Sequence, residues 1–176
     1  RLKNSGKCLF DLVLNFAYIF EASESEKIEM GKAPENNNSS GDAIQIDEPL
    51  EIAPIVCIMD SGIQEAHKYL APSIINTDSV SLLPDDLSTN DETIGGGHGT
   101  RVAGAVLYPK EIPKVGNYQL PCWIRNMRIL DRDNCLPEDI YPPHTIEFAV
   151  QKYNKEALIP TKIFNHSVGC LKACDI

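Results

Sequence analysis

Five consecutive apolar residues, Ile55-Val56-Cys57-Ile58-Met59, run directly into Asp60-Ser61-Gly62. A strand with one wet face alternates apolar and polar side chains, so an unbroken run is expected where both faces are covered. Covering both faces takes helices on each side, and the rest of the sequence supplies them in alternation. Small and apolar residues over 98–107, among them Val102, Ala103, Ala105 and Val106, predict a tightly packed helix in which close packing accounts for Gly104. Residues 123–130 predict a second strand, and 131–143 supply turn chemistry. Ile146, Ala149, Val150 and Tyr153 then recur at helical spacing and predict one buried helix face. Residues 162–168 predict a third strand. The order β, α, β, α, β, with connections of helix length, gives the fold class as α/β, a parallel sheet covered by helices. Ligands of such sheets gather outside the carboxyl ends of the strands, where Asp60 is placed.

Upstream of that first strand, residues 8–20 have enough apolar positions for a short helix. Residues 21–48 turn acidic and polar, with Glu24, Glu26, Glu29, Glu35 and the run Asn36-Asn37-Asn38-Ser39-Ser40-Gly41, and read as a linker. Two parts follow: 1–48, an N-terminal helix and acidic linker or propeptide remnant, and 49–176, the ordered domain. The mixture of Asp, Ser, Pro and Asn over 77–91 predicts a surface excursion. The chain starts at Arg1 and stops at Ile176 straight after a strand-like run, which reads as a piece of a longer domain and an incomplete fold.

With 25 acidic against 16 basic side chains, the net charge of −9 repels phosphate backbones, so nucleic acid is not expected as a partner. Asp11 and Asn15 interrupt the apolar stretch 8–20, which is too short to span a bilayer, and no convincing cleavage site follows it. The six cysteines are irregularly spaced, and Cys57 reads as a reduced thiol in a buried strand. His166, Cys170 and Cys174 fall four apart and would share one helical face as zinc ligands; thiols near a chain end are the simpler account, and no metal is assigned.

Taken singly, Asp60 is most simply a cap or turn carboxylate, and His98 a structural histidine. Together they form an ordered pair 38 residues apart: Asp-Ser-Gly-Ile after an apolar strand, then His-Gly-Thr-x-Val-Ala-Gly after three glycines. On these residues the chain resembles the subtilisin-like serine peptidases. Val56 to Ile63 is similar to that family's aspartate segment, and His98 to Gly104 to its histidine segment. Met127-Arg128-Ile129-Leu130-Asp131, Ile146-Glu147-Phe148-Ala149 and Ile163-Phe164-Asn165-His166-Ser167-Val168-Gly169 resemble the core strand, helix and groove strand that follow, so that the likeness covers roughly residues 50 to 170.

The resemblance implies peptide-bond hydrolysis by an Asp, His, Ser triad, with Asp60 orienting the imidazole and His98 transferring the proton. It implies that Ser167, Val168 and Gly169 pair with an extended peptide or protein substrate. After His98 the sequence holds a single serine, Ser167, which falls in the groove strand rather than at a helix start, and Asn165 lies within that strand too. Neither is assigned as nucleophile or oxyanion donor. The chain thus reads as the N-terminal part of the catalytic domain, holding Asp60 and His98 without the serine and inactive by itself. No cofactor is expected; structural calcium occurs in the family, but Asp85, Asp86, Asp91 and Glu92 show no calcium-loop spacing and read as a solvated surface. Two other readings remain at this point: an inactive peptide-binding or regulatory module, and a small-molecule or nucleotide-binding α/β domain, for which a phosphate fingerprint is lacking. The compartment stays open between cytoplasm and export.

Overall fold

The computed structural model describes residues 44–94 and 97–167. Its strands are β1 (Gln45–Asp47), β2 (Ile55–Asp60), β3 (Val80–Ser81), β4 (Asn117–Gln119), β5 (Trp123–Arg128) and β6 (Ile163–His166). Its helices are α1 (His98–Leu107) and α2 (Pro142–Val150), the latter running on as a π-helical turn over Gln151–Lys155. Four strands form one parallel sheet in the order β3-β5-β2-β6, and β1 pairs with β4 in a separate parallel ribbon. The α/β class follows, with β2 inside the sheet as its unbroken apolar run requires.

All six residues of β2 are buried, and their alternation divides the core in two. Val56 and Ile58 pack on the α1 side with Ile63, Ala103, Leu107 and Ile124. Cys57 and Met59 pack on the α2 side with Met127, Ile129, Ala149 and Tyr153. By the same alternation, Asp60 belongs to the α1 side. Side-chain direction in β2 therefore aims the Asp60 carboxylate at the helix that begins with His98.

Four local expectations change. The buried stripe of α2 comprises Thr145, Ala149 and Tyr153, at steps of four residues, whereas Ile146 is 44% exposed at the stripe's solvent edge. A wider turn, with the Glu156 amide bonded to the Gln151 carbonyl at 3.0 Å, continues the element past the point where regular α geometry stops. Gly104 is not explained by packing, because a Cβ added there would meet nothing within 4 Å. Finally, residues 77–91 are more than a surface excursion. They contribute edge strand β3 and bury Leu83 and Asp91, the first in the interior and the second beside α1. The segment 45–47, within the expected linker, forms β1 and pairs with β4.

Candidate active site

Asp60 ends β2 with no exposed surface, and the next residues turn the chain away: Gly62 has φ +96° and bears on the Thr89 and Asn90 carbonyls. The Ser61 amide donates to Asp60 Oδ1 at 2.7 Å. His98 opens α1, and its Nδ1 lies 2.8 Å from Asp60 Oδ1 and 2.9 Å from Oδ2. A carboxylate accepts, so Nδ1 carries the proton, and in the neutral imidazole the lone pair then sits on Nε2. The His98 side chain is 37% exposed, so one ring edge is locked in the interior while the other faces outward.

The approach of α1 to β2 is close because Gly99 has no side chain: a Cβ there would sit 2.2 Å from the Gly62 carbonyl oxygen and 3.1 Å from Asp60 Cβ. Gly99 donates its amide to Ser61 Oγ at 2.9 Å, and Ser61 Oγ donates in turn to Asp91 Oδ1 at 3.2 Å. The remaining Asp91 oxygen accepts from the Thr100 amide at 3.0 Å and from Thr100 Oγ1 at 2.9 Å. Asp91 is only 5% exposed.

The acidic group read as a solvated surface is thus mostly engaged. Asp86 pairs with buried Arg128 at 3.0 Å, and Glu92 pairs with Arg132 at 2.6 Å and accepts from Ser88 Oγ at 3.0 Å. Asp91 faces the interior, and sequence reasoning missed it because two of its partners, Ser61 and Thr100, lie 30 residues upstream and 9 downstream. Asn126 was also passed over: its Nδ2 donates to Glu65 Oε1 at 2.6 Å and to the Thr89 carbonyl at 2.8 Å, holding the loop that bears on Gly62.

The structure brings Asp60 and His98 together. Ser167 follows β6, exposed, and its Oγ donates to Asn165 Oδ1 at 2.7 Å. Val168 and Gly169 lie outside the described residues, as do Cys170 and Cys174. Ser61 is buried and its hydroxyl is committed to Asp91. Among the described residues no serine hydroxyl donates to His98. Cys57 is no substitute nucleophile: burial pushes its thiol up to about 12, with Arg125 offsetting part of the rise, so it stays protonated at neutral pH. Among the described residues no cluster of three or more His, Cys, Asp or Glu side chains is arranged to hold a metal, and no helix is long and apolar enough to cross a membrane.

The model of the subtilase family, Peptidase_S8, matches residues 52–172, which is more than half of the chain and includes both Asp60 and His98. No curated protein and no solved structure matches the chain.

Proposed function

The chain belongs to the subtilase family of peptidases, and on that premise we propose that Asp60 and His98 are the orienting and proton-transferring members of a serine endopeptidase triad. The observation that carries this reading is the contact of His98 Nδ1 with both oxygens of a fully buried carboxylate, at 2.8 and 2.9 Å.

In this reading Nε2 takes the proton from a serine hydroxyl as its oxygen bonds to the carbonyl carbon of a peptide. The tetrahedral intermediate collapses, the C–N bond breaks, and the same proton passes to the departing amine. Water repeats the sequence to release the acyl group. Asp60 remains a carboxylate throughout, holds the Nδ1–H tautomer and stabilises the imidazolium that forms at each transfer. The relay itself uses side chains alone. The serine comes from outside the described residues, and Ser167 is not that nucleophile, because its position after β6 and its bond to Asn165 fit a groove edge. The backbone at Ser167, Val168 and Gly169 would align an extended protein substrate by strand addition.

The test is hydrolysis of a fluorogenic peptide by the protein that carries this chain, together with labelling by a fluorophosphonate. His98→Ala and Asp60→Asn are expected to lower kcat/KM by about 10⁴-fold or more, since the members of such a triad act as a unit. Hydrolysis that survives His98→Ala would overturn the reading, and stoichiometric labelling of Ser167 would overturn its assignment to the groove. Tight peptide binding with neither hydrolysis nor labelling would leave a peptide-binding module in place of an enzyme.

A further inference from the structure

We infer that Asp91 is a positioning residue for the Asp60–His98 pair, holding the helix that carries His98 and the turn that follows Asp60 in one fixed relation. The inference rests on the catalytic reading of that pair, and it adds a residue that neither the family segments nor the contact between Asp60 and His98 identifies.

The N-terminal amides of a helix need acceptors, and the residue preceding His98 supplies none: Gly97 has no side chain with which to cap α1. The acceptors arrive from elsewhere in the chain. The amide of Gly99 is taken by Ser61 Oγ and that of Thr100 by Asp91 Oδ2. Gly97 is what lets the carboxylate approach, since a Cβ there would lie 2.4 Å from Asp91 Oδ2. An anionic group at this position also complements the positive end of the helix.

The second oxygen works on the other partner of the pair. Asp91 Oδ1 accepts from Ser61 Oγ at 3.2 Å, and Ser61 is the residue whose amide donates to Asp60 Oδ1. Thr93 secures the same oxygen with its hydroxyl at 2.7 Å and its amide at 3.4 Å. Gln64 closes the circuit, its amide donating to Thr100 Oγ1 at 3.0 Å and its Nε2 to the Asp91 carbonyl at 2.5 Å. One buried carboxylate therefore bonds both to the first turn of α1 and to the residue after Asp60. Loss of it frees α1 to shift against β2, and the Nδ1 contact is the distance that registers the shift.

The experiment is NMR on the isotope-labelled 176-residue chain, following the downfield proton of His98 Nδ1 and its exchange with water. Asp91→Ala is expected to speed that exchange about tenfold or more, the change that goes with losing a charge-assisted hydrogen bond. Thr161→Ala, which removes a buried partner of Arg125 on the α2 side, serves as a control for general destabilisation. It is expected to lower the melting temperature while leaving the His98 proton unchanged. Should Asp91→Ala fail to fold, Asp91→Asn keeps one acceptor oxygen and is read in the same way, with a smaller acceleration expected. Exchange in the folded Asp91 variant that matches Thr161→Ala would overturn the positioning role alone. A wild-type chain without any protected Nδ1 proton would overturn the pairing of Asp60 with His98, and this inference with it.

Discussion

At the scale of single residues, Gly62, Gly97 and Gly99 permit close approaches at the site, whereas Gly104 permits none. Gly99 lets α1 touch the turn after Asp60, with its absent Cβ projected 2.2 Å from the Gly62 carbonyl oxygen. The obstacle is backbone at a buried position, so relaxation has to move α1 away from β2 and lengthen the His98–Asp60 contact. Gly99→Ala is therefore expected to destabilise the fold by about 2 kcal/mol or more, read as a lower urea midpoint at unchanged slope. Gly104 is the counter-case. It lies inside α1 with open space where a methyl group would go, so Gly104→Ala is expected to stabilise by up to about 1 kcal/mol through helix propensity. Equal midpoints for the two variants would refute this account of α1. Asp60 and His98 were legible from the sequence because each sits beside its own local mark, a finished apolar strand or a glycine run. Asp91 has no such mark; a carboxylate in a polar stretch looks solvated until the fold delivers Ser61 and Thr100 to it.

Among elements, the strongest tie outside the site is Arg125, which projects from β5 on the α2 side. Its Nε donates to Asp78 Oδ2 at 2.7 Å, and its Nη1 reaches the carbonyls of Tyr153 and Ile159, at 3.1 and 3.0 Å, and Thr161 Oγ1 at 2.8 Å. One guanidinium thus joins the turn before β3, the π-helical turn and the segment that leads into β6. Arg125→Met is expected to cost about 2–3 kcal/mol, because four acceptors lose a charged donor. The figure stays at that level because Asp78 keeps 32% exposure and can turn to water. A urea midpoint within error of the wild type would mean that water replaces the arginine without loss. The longer strands β2, β5 and β6 and both helices were readable in the sequence because each spans enough positions to show a run or a period. The strands β1, β3 and β4 have two or three residues apiece, too few for any periodicity, and form only because a neighbour offers an edge. The same limit explains Arg125: a basic residue inside an apolar run gives no sign of which distant carbonyls it will meet.

For the described domain as a whole, the buried thiols and the Tyr153 hydroxyl make the fold lose stability in base. Burial raises the Cys57 thiol from its ordinary 9.0 to about 12, with Arg125 offsetting part of the rise. Burial also raises Tyr153, with help from nearby Cys57 and Asp78, and its hydroxyl donates to the Asp78 carbonyl at 2.6 Å. Cys122, on the α1 side, is raised to about 11 by burial. In each case the folded chain holds a proton that the unfolded chain has already released. The folded state therefore binds more protons from about pH 9 upward, and stability falls with rising pH over that interval. The contribution is complete below pH 9 and is lost progressively towards pH 12. Urea midpoints are thus expected to change little with these groups below pH 9 and to drop above it, with Cys57→Ala flattening the drop at some cost in packing. The same burial sets thiol reactivity. Under native conditions at pH 8, iodoacetamide is expected to label exposed Cys135 and to spare Cys57 and Cys122, as mapped by peptide mass. Rapid labelling of Cys57 in the folded chain would show that β2 is open to solvent. A central strand that admits water could not keep Asp60 dry beneath His98, so that result would count against the site as well as against the core.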